Sequence, residues 1–348
     1  MRAKKHGTKS GSSALNNRIE ILRERDETML RTYTRILTVL AIAGAAGLLF
    51  VGPGWAAEVW VTNMKSATIQ VIDPDTMQLV AMILADKGAH NVTLSKDGKL
   101  AFVANVGASN VTIIDAETKL VLGTGPAGKK AHDVSVSPDG KLAVASNVGA
   151  DTITLIDVAK KAPLKTITTG DGAAMSLFSA DGSKLYVANL RAANVSVIDL
   201  ASGQVTKTLP GGKGVMAFVP VAGWSEAWLT APAEDKLVLL DLIKDVKIAD
   251  VALPGEPHGM VLSPDGKTIY VVQRKLNQIA KVDIASRKIV KTAPLGKRPD
   301  MVAISPDGES LFVVSRDEDK LYKVSAADLS VRGEVAIGGE PHGVAYRP

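Results

Sequence analysis

The chain has 348 residues, 22% of them charged, no cysteine and a formal net charge of +5. The lack of cysteine excludes disulfides, thiolate metal ligands and a cysteine nucleophile. The basic excess carries no argument for nucleic acid: residues 1–56 hold nine Lys/Arg against four Asp/Glu, and the remaining 292 residues carry 32 of each.

Residues 1–28 are polar and show no apolar period long enough for a packed element. They read as a polar extension, disordered or lying upstream of a true start at Met29. Residues 29–56 read as a signal peptide. Two arginines in Met29–Arg35 precede the apolar run Ile36–Val51, and Gly52-Pro53-Gly54-Trp55-Ala56-Ala57 then breaks any helix and ends in small residues. The cut is expected beside Ala56 or Ala57. The other reading is an uncleaved anchor, the one route to a membrane in this chain, although sixteen apolar residues fall short of the about 20 that a span needs.

From Ala57 the sequence is periodic. Ala131–Asn147 reads as strand, tight turn, strand: Val134 and Val136 alternate with Ser135 and Ser137, and Ser137-Pro138-Asp139-Gly140 fits a type I turn. The turn recurs every 42 residues at Ser95, Ser179, Ser263 and Ser305, with one degenerate copy at Val221-Ala222-Gly223-Trp224. Asn63, Asn105, Asn147, Asn189, Ala231, Gln273 and Ser315 keep the same step, as do Asp73, Asp115, Asp157, Asp199, Asp241, Asp283 and Ser325. Three landmarks in one register without insertions, with four short strands per unit, predict an all-β fold, a β-propeller. Residues 57–348 accommodate seven units of 42, hence seven blades. The strand near His342–Tyr346 is expected to complete the blade begun by Glu58–Leu84, closing the ring.

Trp60, Phe102, Val144, Tyr186, Trp228, Tyr270 and Phe312 share one repeat position and are expected to pack between blades. The strand-end asparagines and aspartates are expected to bond loop backbone. No Gly-rich phosphate loop, nucleophile elbow or HExxH is present, so the sequence gives no readable catalytic motif.

Trp60-Val61-Thr62-Asn63, Phe102-Val103-Ala104-Asn105 and Tyr186-Val187-Ala188-Asn189, each followed by an aliphatic-Ile-Asp strand and a Ser-Pro-Asp-Gly-like turn, resemble the YVTN repeat over all of residues 57–348. The resemblance implies an exported or surface-exposed seven-bladed propeller of bacteria or archaea. That family includes scaffolds, a periplasmic DNA binder and relatives of the haem-d1 domain of nitrite reductases, and some members accompany quinone-cofactor dehydrogenases. The fold does not choose among these functions.

The histidines form the one unusual constellation. His90, His132, His258 and His342 occupy a single repeat position, five residues before the turn serine; the other blades place Ala174, Met216 and Asp300 there. In ring order His258, Asp300, His342, His90 and His132 come from five consecutive blades. The loop after the second strand adds Lys65, Arg274, Lys275 and Arg316 on the same face. The expectation is a central funnel lined by imidazoles and one carboxylate, with cations beside it. The histidines and Asp300 suit Zn, Cu, Fe or Ni, and the cations suit an anionic group such as a carboxylate or haem propionate. The bland alternative is that histidine in Pro-His-Gly only caps a strand or bonds a neighbouring loop. Sheets packed about 10 Å apart also oppose sharing one ion across blades.

The functional expectation is a binding or scaffold module in the periplasm or cell envelope. It takes a protein partner or a small ligand at the funnel. The alternative is an accessory of a redox enzyme holding a metal, haem or quinone cofactor. A DNA-binding propeller is disfavoured by the neutral charge of residues 57–348.

Overall fold

The computed structural model describes residues 57–348, so the readings made for the leader lie outside the described residues. Seven four-stranded antiparallel sheets follow one another in a ring, as the 42-residue period predicts. The inner strand of blade 1 is the last in the chain, Pro341–Arg347, and it pairs with Glu58–Asn63. Blades 2, 3 and 4 open on Ala89–Leu94, Ala131–Val136 and Ala173–Phe178; blades 5, 6 and 7 open on Phe218–Val221, Pro257–Leu262 and Pro299–Ile304. These inner strands touch one another around the ring and build its hub. Among the described residues no helix is long and apolar enough to cross a membrane.

Local chemistry accounts for each hairpin. In Ser137-Pro138-Asp139-Gly140 the Gly140 N–H donates to the Ser137 carbonyl at 2.9 Å, and the Ser137 hydroxyl donates to Asp139 at 2.7 Å. The Leu142 N–H returns a bond to that hydroxyl at 3.0 Å, and Gly140 leaves the turn at φ 72°, a conformation favourable to glycine. The degenerate copy behaves differently: Ala222–Trp224 forms a 3-10 turn in which Gly223 and Trp224 both take positive φ.

Seven apolar clusters hold the ring, one at each junction between blades, and the shared aromatic position feeds them as expected. Trp60 of blade 1 packs with Ala101 and Val103 of blade 2, and Phe312 of blade 7 packs with Val59 and Val61 of blade 1. A buried clasp reinforces the closure. Glu58 receives the Trp60 indole N–H at 3.0 Å, Lys119 at 2.8 Å and Arg347 at 3.1 Å, while Arg347 Nε reaches the Gly98 carbonyl at 2.9 Å.

The strand-end polar residues divide. The aspartates do bond loop backbone: Asp73 accepts from the N–H of Asp75 at 2.9 Å and of Thr76 at 2.7 Å. The asparagines instead donate mainly to side chains of the next strand, as Asn105 does to Asn110 and Thr112, both at 2.8 Å. They are buried at the ends of the second strands, where the nearest partners are those side chains rather than loop N–H groups. Asn147, which also accepts from the Gly128 N–H at 2.9 Å, keeps the expected backbone bond.

Candidate functional site at the hub

The histidine position is the second residue of the inner strand, and the backbone is irregular there. In blades 1, 2, 6 and 7 two residues, and in blades 3 and 4 one residue, drop out of the pairing with the second strand. A bulge re-aims side chains and sharpens twist. Here the residues released from the ladder are His90, His132, Ala174, His258, Asp300 and His342. In blade 5 the strand starts only at Phe218, so Met216 lies outside it.

The glycine of Pro-His-Gly is explained by crowding. A Cβ on Gly343 would stand 2.7 Å from the His90 carbonyl oxygen and 2.8 Å from Asn91 Cα; one on Gly259 would stand 2.5 Å from the Asp300 carbonyl oxygen. The inner strands approach one another far more closely than sheets do at mid-blade. The expectation that a 10 Å spacing keeps the side chains apart is therefore corrected, because blades converge toward the axis like spokes. Ring centroids lie 3.6 Å apart for His90 and His342, 4.1 Å for His90 and His132, 6.0 Å for His258 and His342, and 6.5 Å for His132 and His342. Asp300 is fully buried, and His90, His258 and His342 are nearly so. The imidazoles thus form a packed cluster rather than the lining of an open funnel.

Each Nδ1 is occupied. His90 Nδ1 meets the His132 carbonyl at 2.8 Å, His132 Nδ1 the Ala174 carbonyl at 3.0 Å, and His258 Nδ1 the Asp300 carbonyl at 3.0 Å. The bond thus runs to the same repeat position of the next blade. Blade 1 deviates, because the Thr62 hydroxyl already donates to the His90 carbonyl at 2.5 Å. His342 Nδ1 turns instead to Asn91 Oδ1 at 3.1 Å, and the Asn91 amide donates to Asp133 at 3.1 Å. Carbonyl oxygens only accept, so these nitrogens carry the proton and each Nε2 keeps a bare lone pair. Among the described residues no hydrogen bond engages those Nε2 atoms.

The bland reading therefore holds for one nitrogen of each ring and leaves the other free. Burial pushes His132 down to about 4, and burial with the nearby Arg274 pushes His258 down to about 3. Burial, and then the neighbouring rings, hold His90 and His342 well below the usual imidazole value. All four are neutral at physiological pH.

The carboxylate is the charged centre. Asp300 Oδ1 lies 3.0 Å from His258 Nδ1 and accepts from Arg274 Nε at 2.8 Å, with Arg274 Nη2 also on it. Asp300 Oδ2 lies 3.5 Å from Arg316 Nη1 and 3.6 Å from His342 Nε2. Burial works to raise the carboxyl, but His258, Arg274 and Arg316 outweigh it and lower its pKa. The two arginines are thus turned onto protein carboxylates: Arg274 also lies 3.7 Å from Glu256, and Arg316 is paired with Glu340. They are not the free cations expected for an anionic group. Lys275 is largely exposed, 3.8 Å from Glu256, and Lys65 is exposed and joins none of these contacts.

Sequence reasoning missed Glu256, Glu340, Asn91 and Asp133. A signal for the first two was present, since Gly-Glu-Pro-His-Gly occurs twice, at Gly255–Gly259 and Gly339–Gly343. Asn91 and Asp133 each follow a histidine, and burial pushes the Asp133 carboxyl up to about 7. The hub can thus offer bare imidazole nitrogens and one carboxylate oxygen to a small electron-poor guest.

Fold and hub together define a seven-bladed β-propeller with a polar axial cluster. A family model described as the choice-of-anchor I domain matches residues 82–298, more than half of the chain, and the chain belongs to that family. A YNCE-like beta-propeller model matches residues 258–347, in keeping with the expected kinship to seven-bladed repeat propellers. No curated protein matches the sequence. Among solved structures, hydrazine synthase of Kuenenia stuttgartiensis is similar at a TM-score of 0.68 and 19% identity, over 81% of this chain and 99% of that one. The periplasmic gluconolactonase PpgL of Pseudomonas aeruginosa follows at 0.72 and 18%, over 84% and 99%. The dihydro-heme d1 dehydrogenase NirN, in complex with DHE, gives 0.65 and 18%, over 86% and 77%. At these identities the likeness shows the fold.

Proposed function

We propose that this protein is an extracytoplasmic binding module that seats a small ligand at the hub of its propeller and performs no reaction itself. The observation that carries this reading is the convergence of His258, Asp300, His342, His90 and His132, from five consecutive blades, into one cluster in which, among the described residues, no hydrogen bond engages an imidazole Nε2. The leader supports an extracytoplasmic site of action, as does the likeness to a propeller described as periplasmic. Rings 3.6–6.5 Å apart favour an ion or a very small molecule over a planar macrocycle at this depth. A role beside a redox enzyme remains compatible with such a guest, and NirN supplies a fold relative with that chemistry.

Native mass spectrometry of the exported protein, purified without chelator, tests the reading. It predicts a bound non-protein mass, or a partner, that is lost in His342→Ala and kept in Met216→Ala. Hydrolysis of gluconolactone at enzymatic rates, abolished by Asp300→Asn, would overturn it in favour of a lactonase.

A further inference from the structure

We propose that the hub coordinates one divalent transition-metal ion through His258, Asp300 and His342. This deepens the binding reading above and rests on it. The three side chains offer ligand atoms that all lie within 4.8 Å of one another. The sharpest feature is the approach of His342 Nε2 to Asp300 Oδ2 at 3.6 Å. Because His342 Nδ1 is committed as a donor to Asn91 Oδ1, its Nε2 is an acceptor. Two buried acceptors facing each other repel unless a cation lies between them.

The separation suits such a cation. Two ligands about 2.0–2.1 Å from a tetrahedral ion stand about 3.4 Å apart. Asp300 is divided in a way that serves the site. Arg274 and His258 fix Oδ1, while Oδ2, besides facing His342 Nε2, has a long contact with Arg316. A partner on the non-ligating oxygen orients the other toward the metal. The Asn91–Asp133 pair does the same for His342, holding its ring by Nδ1. Neutral imidazole with one carboxylate selects zinc or copper, whereas magnesium and calcium demand mostly oxygen. Two guanidiniums beside the carboxylate add discrimination, since they disfavour any cation that gains nothing from nitrogen. His132 and His90 fall outside the set of side chains whose ligand atoms converge within 4.8 Å.

The test uses the full exported chain, stripped with chelator, dialysed and titrated with zinc chloride by calorimetry, with metal content measured in parallel. One zinc per chain is expected, with no magnesium bound. His342→Ala and Asp300→Asn are expected to weaken zinc by about 100-fold or more, and Met216→Ala, in the inert arc, to change it by no more than about twofold. Should Asp300→Asn fail to fold, the cobalt-loaded wild type decides: a tetrahedral or five-coordinate visible spectrum supports the site, and that of aqueous cobalt overturns it.

Folded wild type without stoichiometric zinc or copper overturns the inference, as does a Met216→Ala loss equal to that of His342→Ala. If zinc fails while a co-purified small molecule is lost in His342→Ala, the metal inference falls and the binding reading stands. If neither binds, both fall.

Discussion

The hub has two arcs built on one repeat. In blades 6, 7, 1, 2 and 3 the second residue of the inner strand is His258, Asp300, His342, His90 or His132. In blade 4 it is Ala174, and in blade 5 the same repeat position, just ahead of the inner strand, is Met216. Blade 4 keeps the bulged strand with Ala174 fully buried, so the repeat closes a ring without any polar group there. Burying polar side chains opposes folding unless each is paired. The polar arc is therefore not what the propeller needs in order to fold, and its pairing pattern leaves one nitrogen per ring unused. The comparison separates what belongs to the scaffold from what belongs to the ligand.

The largest difference between the arcs is expected at the charged centre. Asp300→Ala removes the buried carboxylate that Arg274 and Arg316 share and should lower stability by about 3–5 kcal/mol in denaturant melts, whereas Met216→Ala in the inert arc should lower it by about 1 kcal/mol. Equal losses would remove the distinction. Next comes crowding at the axis. Gly343→Ala forces a methyl group against the blade 2 backbone and should lower stability by about 1–3 kcal/mol, although the same repeat position in blade 5 already carries Ala217.

The two arcs are also expected to respond differently to pH. The folded Asp133 carboxyl, at about 7, lies above its unfolded value near 4, so its contribution is present below pH 4 and lost as pH rises from about 4 to 7. His132 acts oppositely, since its folded value of about 4 lies below the unfolded 6.5; its contribution is present above pH 6.5 and lost as pH falls toward 4. Asp133→Asn should therefore gain stability over wild type progressively from pH 4 to 7, read as a shift of the urea midpoint. Met216→Ala should run parallel to wild type across that window. The smallest effects belong to Lys65→Ala and Lys275→Ala, each within about 0.5 kcal/mol because both side chains are largely solvated.

The repeat made the fold legible. A fixed 42-residue step with Ser-Pro-Asp-Gly turns dictates strand number, blade number and the closing of blade 1 by Pro341–Arg347. The site was legible only in part. Ring order places the histidines and Asp300 together, but their depth depends on bulges, which a one-letter pattern does not reveal when the strand continues on either side. The cations misled for a related reason. Arg274 and Arg316 look free until Asp300, Glu256 and Glu340, from neighbouring segments, are seen to hold them. Glu256 and Glu340 lay inside a duplicated pentapeptide, where attention to histidine alone passes over them.

The hub presents neutral imidazoles protonated at Nδ1, with Nε2 bare. Nitrogen-15 NMR of the histidine-labelled, metal-free protein measures this directly. His90, His132, His258 and His342 are all expected to show the neutral Nδ1–H tautomer at pH 6, below the usual imidazole midpoint. Protonated rings at that pH, or the opposite tautomer at His342, would contradict it.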